Sequence, residues 1–127
     1  EIDSEDTASM LMECQCNGKM LPVSLTLDFL QSPPRRTCDI VGEQGNIVWD
    51  YHAKTAVLHS RITGKTETLD FSDLGRNQLF LDELNHFLAA VKGEVSPVVD
   101  LRSGYDSLQM ALAARNSIET GKIQNLK

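Results

Sequence analysis

No apolar run in this chain approaches the ~20 residues that a membrane-spanning helix needs. Basic residues are also in short supply. Twelve Lys and Arg stand against 18 Asp and Glu, for a formal net charge of -6. That balance repels phosphate backbones and anionic lipid, so neither nucleic acid nor a membrane surface is an expected partner. The opening Glu1-Ile2-Asp3-Ser4-Glu5-Asp6 is acidic where a secretory leader is basic, and a start on Glu1 in place of Met reads as excision from a longer chain. Cysteine is scarce and odd in number. Cys14, Cys16 and Cys38 cannot all pair within the chain, which favours reduced thiols and a cytoplasmic setting. Three thiolates and a His would fill a zinc tetrahedron, but structural zinc sites usually show two tight ligand pairs, and here there is one. Strand-face cysteines are the better reading, and no metal is expected.

What is present is one domain's worth of patterned chain. At 127 residues, with 41% hydrophobic and 24% charged residues, the composition is that of a globular domain. The pattern changes once, near residue 75: before it the apolar period is two, after it the period is helical. Ala8, Met10, Met12, Cys14 and Cys16 alternate with polar neighbours up to Asn17-Gly18, a pair suited to a tight hairpin. Leu21, Val23, Leu25, Leu27 and Phe29 follow on one face. Pro33-Pro34 then interrupts, since neither residue can donate to a ladder. Strand character resumes over Thr37-Val41, turns at Gly42-Glu43-Gln44-Gly45, and runs on as Asn46-Tyr51, Thr55-Ile62 and Lys65-Phe71. The short connections call for antiparallel neighbours.

Two helices follow. Phe80, Leu84, Phe87, Leu88 and Val91 form a stripe stopped by Gly93, and a second helix is expected from Ser103 to Gly121, with Ser103 as its cap. Ile123-Leu126 reads as a short edge strand. Strands first and helices afterwards give an α+β domain. Its expected form is an open, mainly antiparallel sheet of about six strands with two helices packed on one face. Such a layer should fold by itself.

The chemistry is sparse. Gly42-Glu43-Gln44-Gly45 precedes a strand and carries an acid, so it is a hairpin turn and not a phosphate cradle. Asp50 and His52 share a strand face and could form a carboxylate-oriented base, but no nucleophile motif lies beside them. His86 reads as solvated. Arg35 and Arg36 follow the stiff Pro33-Pro34 and could offer guanidinium forks to an anion; the competing reading is an edge protected by charge and proline. Adjacent arginines on a regular strand alternate faces, so both cannot enter one pocket. With the row from Leu21 to Phe29 turned to the helices, the opposite face presents Ser24, Thr26 and Leu30, with Leu11 on the adjoining strand. That flat, mixed face suits a sheet-to-sheet contact between subunits.

Residues 79 to 122 carry a further pattern. Phe80-Leu81-Asp82-Glu83-Leu84-Asn85-His86-Phe87-Leu88-Ala89-Ala90-Val91 has the form F-x-x-E-L-x-x-F-x-x-A. Pro97, Gly104, Leu108, Ala113, Ser117 and Gly121-Lys122 follow in order. With the upstream strand, Asn-Gly turn, strand and Gly-x-x-Gly-x-Ile-x-Trp-Asp, the chain resembles the C-terminal half of the glucose-fructose oxidoreductase / inositol dehydrogenase (Gfo/Idh/MocA) family. The likeness spans nearly the whole chain; each motif is loose, and their order carries the specificity.

The resemblance implies an NAD(P)-dependent oxidoreductase acting on a sugar, cyclitol or nucleotide sugar. In that family the N-terminal half binds the dinucleotide, while the C-terminal half walls the substrate site and mates subunits. The glycine-rich fingerprint, the Glu-Lys-Pro with its catalytic lysine and the Asp-x-x-x-His would all lie upstream, and none occurs here. The chain, 1–127, then corresponds to a single substrate-side and oligomerisation domain without its dinucleotide-binding partner. No catalytic, cofactor-binding or metal residue carries over. NAD or NADP belongs to the parent protein, and this chain alone should not be catalytic. Arg35 and Arg36 are the candidates for an anionic substrate. Leu11, Ser24, Thr26 and Leu30 are the candidates for a homo-oligomer contact, as a dimer or dimer of dimers. A free-standing α+β binding or assembly module without catalytic activity is the alternative.

Overall fold

The computed structural model describes residues 6–126, so the acidic opening, apart from Asp6, lies outside the described residues. It shows an α+β chain of six antiparallel strands followed by two helices: β1 Thr7–Cys16, β2 Lys19–Asp28, β3 Thr37–Gly42, β4 Gly45–Asp50, β5 Thr55–Ser60, β6 Thr66–Asp70, α1 Gln78–Val91 and α2 Leu101–Thr120. The chain divides into two compact units, one ending at Leu74 and one starting at Gly75. That boundary is where the apolar period changes.

The strands form two sheets, β1-β2 and β3-β4-β5-β6, where a single sheet of about six was expected. The break falls on residues 29–36, which hold no strand. Pro33 and Pro34 have no N–H to give a ladder, so β2 cannot be followed directly by a paired β3. In the hairpin, Cys16 pairs with Lys19 around Asn17 and Gly18, whose φ angles of 49° and 76° are those of a type I′ turn. Counting back from that closing pair, Glu13 opposite Pro22 is a non-hydrogen-bonded pair, so the Pro22 nitrogen points to the outer edge of β2. Ala8, Met10, Met12 and Cys14 meet Leu27, Leu25, Val23 and Leu21 on one face.

In the second sheet the turn closes at Gly42 opposite Gly45. Gly45 has φ 154°, and a Cβ there would run into the His59 carbonyl oxygen on β5, so only glycine lets the two strands close at this point. Lys54 holds the next connection, its Nζ donating to the Ser72 and Leu74 carbonyls at 3.1 and 2.9 Å. Cross-strand pairing then sets Cys38, Ile40, Ile47, Trp49, Ala56, Leu58 and Leu69 on one face. Thr37, Asp39, Asp50, Thr55, Thr66 and Asp70 share the other with Val41, Val48 and Val57.

In the second unit, α1 ends in a Schellman arrangement: Gly93 N–H reaches the Ala90 carbonyl and Glu94 N–H that of Ala89, both at 3.0 Å. Helix α2 starts three residues earlier than expected. Its cap is Asp100, whose Oδ1 accepts the Ser103 N–H and the Ser103 hydroxyl, each at 2.8 Å. Ser103 therefore donates to the cap instead of being it. Gly121 closes the helix as expected, its N–H on the Ser117 carbonyl at 2.8 Å. Residues 123–126 form no strand. Gln124 is instead held by Asn116 of α2, whose Nδ2 donates to Oε1 at 2.6 Å.

The Asp100 cap makes α2 pH-sensitive. Ser103, first through its backbone N–H and then its hydroxyl, holds the Asp100 carboxyl below its ordinary 3.8. A depressed value means the charged cap stabilises the helix fully above 3.8 and is lost as pH falls through the lower folded-state value. Helical ellipticity at 222 nm should therefore drop in acid, and Asp100→Asn, which keeps an acceptor but cannot titrate, should flatten that drop. An identical acid profile in the variant refutes the cap's role.

Neither unit encloses a core of its own: no described residue is buried. The chain exposes 11477 Å². Two separately compact bodies sharing its 14.1 kDa would together expose roughly 8,100 Å², which leaves about 3,400 Å² uncovered.

Candidate functional site

The apolar face of the four-stranded sheet ends in a cluster of an arginine and two aromatic side chains. Strand β3 pairs with β4 about the Gly42/Gly45 turn, and the ladder extends one step beyond Thr37 opposite Asp50. There the Tyr51 N–H donates to the Arg36 carbonyl at 2.9 Å. Alternation puts Arg36, Cys38 and Ile40 on the same side as Tyr51, Trp49 and Ile47. The Arg36 guanidinium carbon accordingly lies 4.9 Å from the Tyr51 ring centre and 6.0 Å from that of Trp49. Both rings are half-buried, and they meet edge to face at 6.2 Å.

Arg35, one residue earlier, is exposed and takes no part in this stack. The structure thus separates the two candidate arginines, as strand alternation requires. At the other end of the same face, Ile40, Ile47, Leu58 and Ile62 line a shallow hollow of about 390 Å³ beside the Gly42–Gly45 turn.

The remaining candidates are dispersed. Asp50 does not orient His52 as a base: its Oδ1 accepts the backbone N–H groups of His52 and Ala53 at 2.8 and 2.9 Å, capping the turn after β4. His52 has left the strand, and its ring meets Tyr51 edge-on at 5.4 Å. His59 Nδ1 lies 3.1 Å from Thr66 Oγ1. His86 is half-buried and not freely solvated, since its Nε2 accepts the Val98 N–H at 3.1 Å and ties the connection to α1. Cys14, Cys16 and Cys38 are free thiols, and no metal-binding cluster occurs among the described residues.

Of the subunit-contact candidates, the structure brings three together. Leu11 faces Ser24 directly, and Thr26 faces Ser9 with hydroxyls 3.5 Å apart, all on one side of the β1-β2 hairpin. Leu30 lies beyond the strand, its N–H on Asp28 Oδ1 at 2.6 Å. It is 71% exposed, and Leu11, at 83%, adds open apolar surface to the hydroxyls on its side of the hairpin.

Neither the Gly42–Gly45 turn nor the start of α2 offers a dinucleotide a pyrophosphate cradle. The glycine pair at 42 and 45 closes a hairpin, with Glu43 and Gln44 at its tip, and Asp100 caps α2 with a carboxylate where a pyrophosphate would need bare N–H groups. No described helix is long and apolar enough to cross a membrane. The fold and site define an α+β protein with open antiparallel sheets and an arginine–aromatic cluster on one of them. No family model, curated protein or solved structure matches the chain.

Proposed function

We propose that this chain is the C-terminal substrate-side and subunit-assembly domain of an NAD(P)-dependent oxidoreductase of the glucose-fructose oxidoreductase / inositol dehydrogenase type. The substrate is a sugar, cyclitol or nucleotide sugar, and the setting is cytoplasmic. The observation that carries the assembly half of this reading is surface: about 3,400 Å² beyond what two compact bodies expose. Surface left open at that scale is more than one chain contributes to a standard protein interface, and large apolar side chains are among what the chain exposes. The order of antiparallel strands before two helices supports the family half. In this reading NAD or NADP belongs to the parent protein. The chain alone then moves no hydride.

The same open surface suits a free-standing assembly module without catalysis. Hydride transfer separates the two. The intact gene product, assayed at 340 nm with both nicotinamides against sugars, cyclitols and nucleotide sugars, should reduce or oxidise at least one. Absence of turnover with every pair, from a folded protein, would leave the module as the answer.

A further inference from the structure

Arg36 and Arg102 form an instructive pair. Both guanidinium groups lie over tyrosine rings, Arg36 at 4.9 Å from Tyr51 and Arg102 at 5.6 Å from Tyr105. Arg102 also pairs with Asp106 at 3.0 Å, so its charge is answered within α2. Arg36 has no such answer among the described residues. The ion pairs among the described residues use Lys19, Arg102 and Arg115, and the arginine side chains that donate hydrogen bonds are Arg61, Arg102 and Arg115.

Stacking occupies the flat face of a guanidinium and leaves its in-plane N–H donors available. It also fixes the side chain against a half-buried Trp49 and Tyr51, which lowers the entropy lost when a ligand arrives. The surroundings favour an anion. Neighbours on the face are Cys38, Ala56 and Leu69, while Asp39 and Asp50 share the opposite face. Glu67 is on the near face but pairs with Leu58, toward the far end of the sheet. In a chain of net charge -6 this leaves a locally cationic spot on an apolar surface.

We propose that Arg36, held over Tyr51 and Trp49, anchors an oxyanion site on the open face of the four-stranded sheet, and that Arg35 does not contribute. The site stands on geometry. Its ligand class, a phosphate ester, rests on the reading of the chain as the substrate side of a nucleotide-sugar enzyme.

Trp49 is the single tryptophan of the chain, so its emission reports on the site without interference. Inorganic pyrophosphate titrated into the 127-residue chain at constant ionic strength should change Trp49 fluorescence with saturation in the ~millimolar range that one guanidinium supports. Arg36→Ala should weaken binding by about tenfold or more, and Arg36→Lys should recover little, because an ammonium lacks the planar fork. Arg35→Ala should bind as the parent does, with circular dichroism confirming that each variant keeps the parent spectrum. A response to acetate equal to that of pyrophosphate overturns the phosphate assignment. No saturable response, or equal loss in Arg35→Ala, overturns the site. Either failure alongside hydride transfer by the intact protein leaves the oxidoreductase reading standing, and a pyrophosphate response without hydride transfer does the reverse.

Discussion

At tens of micromolar the 127-residue chain is expected to sediment as a dimer or larger species, with a thermal midpoint that rises with concentration. The expected cause is the apolar surface that each unit leaves open. The leucine and valine row of β2, isoleucine and leucine on the four-stranded sheet, and the Phe80–Leu84–Phe87–Leu88–Val91 stripe of α1 all remain exposed within their own units, and Met10 and Met12 are only half-buried. Association that covers part of this surface adds a concentration-dependent free energy to the folded state. Tenfold dilution then removes about 1.4 kcal/mol per mole of dimer, which for two chains unfolding together lowers the midpoint by roughly 3 °C. Differential scanning fluorimetry or calorimetry between about 2 and 200 μM spans two such steps, with sedimentation at each end. A cooperative midpoint independent of concentration, with a monomer throughout, would sink the assembly reading.

Local chemistry explains why most of the framework could be read in advance. The hairpins are announced twice, by alternation along the strands and by turn residues whose backbone angles other residues resist. Asn17-Gly18 and Gly45 are such positions, and the observed register follows from them. The break between the sheets was visible in Pro33-Pro34, but its consequence was not. A missing donor shows that a ladder stops, without saying whether the next strand rejoins it. The start of α2 was misplaced because Ser103 and Asp100 are both good caps. The stripe Leu101, Tyr105, Leu108, Leu112, at i, i+4, i+7 and i+11, favours the earlier one.

The site was half legible. Alternation showed that only one of Arg35 and Arg36 could serve a given face. Which one follows from the turn: residues whose numbers sum to those of the Gly42–Gly45 pair stand opposite each other, so Arg36 faces Tyr51. The stacking itself is a tertiary fact, since nothing along the chain announces that a guanidinium will lie on a ring rather than in solvent. His86 illustrates the same limit. Its bond to the Val98 N–H joins residues 12 apart through a connection with no periodicity to read.

The two faces of the β1-β2 hairpin should respond oppositely to the same insult. Leu25 sits in the row with Met10, Met12, Val23 and Leu27, a face too apolar to remain in water, while Thr26 lies beside Ser9, Leu11 and Ser24 on the mixed face assigned to subunit contact. Thr26→Arg places a long cation where a flat sheet is to meet its partner. If that contact forms, the charge is buried without a counter-ion, and association should weaken by about 3 kcal/mol or more, roughly a hundredfold in dissociation constant. Strand structure should survive, because an arginine on an exposed two-stranded face disturbs no ladder bond. Leu25→Arg puts the same charge into the row that needs apolar cover. There the loss should fall on folding, seen as a collapsed thermal transition at every concentration and not as a shifted monomer–dimer equilibrium. Analytical ultracentrifugation and circular dichroism on the two variants, side by side, resolve the assignment. Dissociation caused by Leu25→Arg with Thr26→Arg silent would exchange the faces, moving subunit contact to the methionine and leucine row.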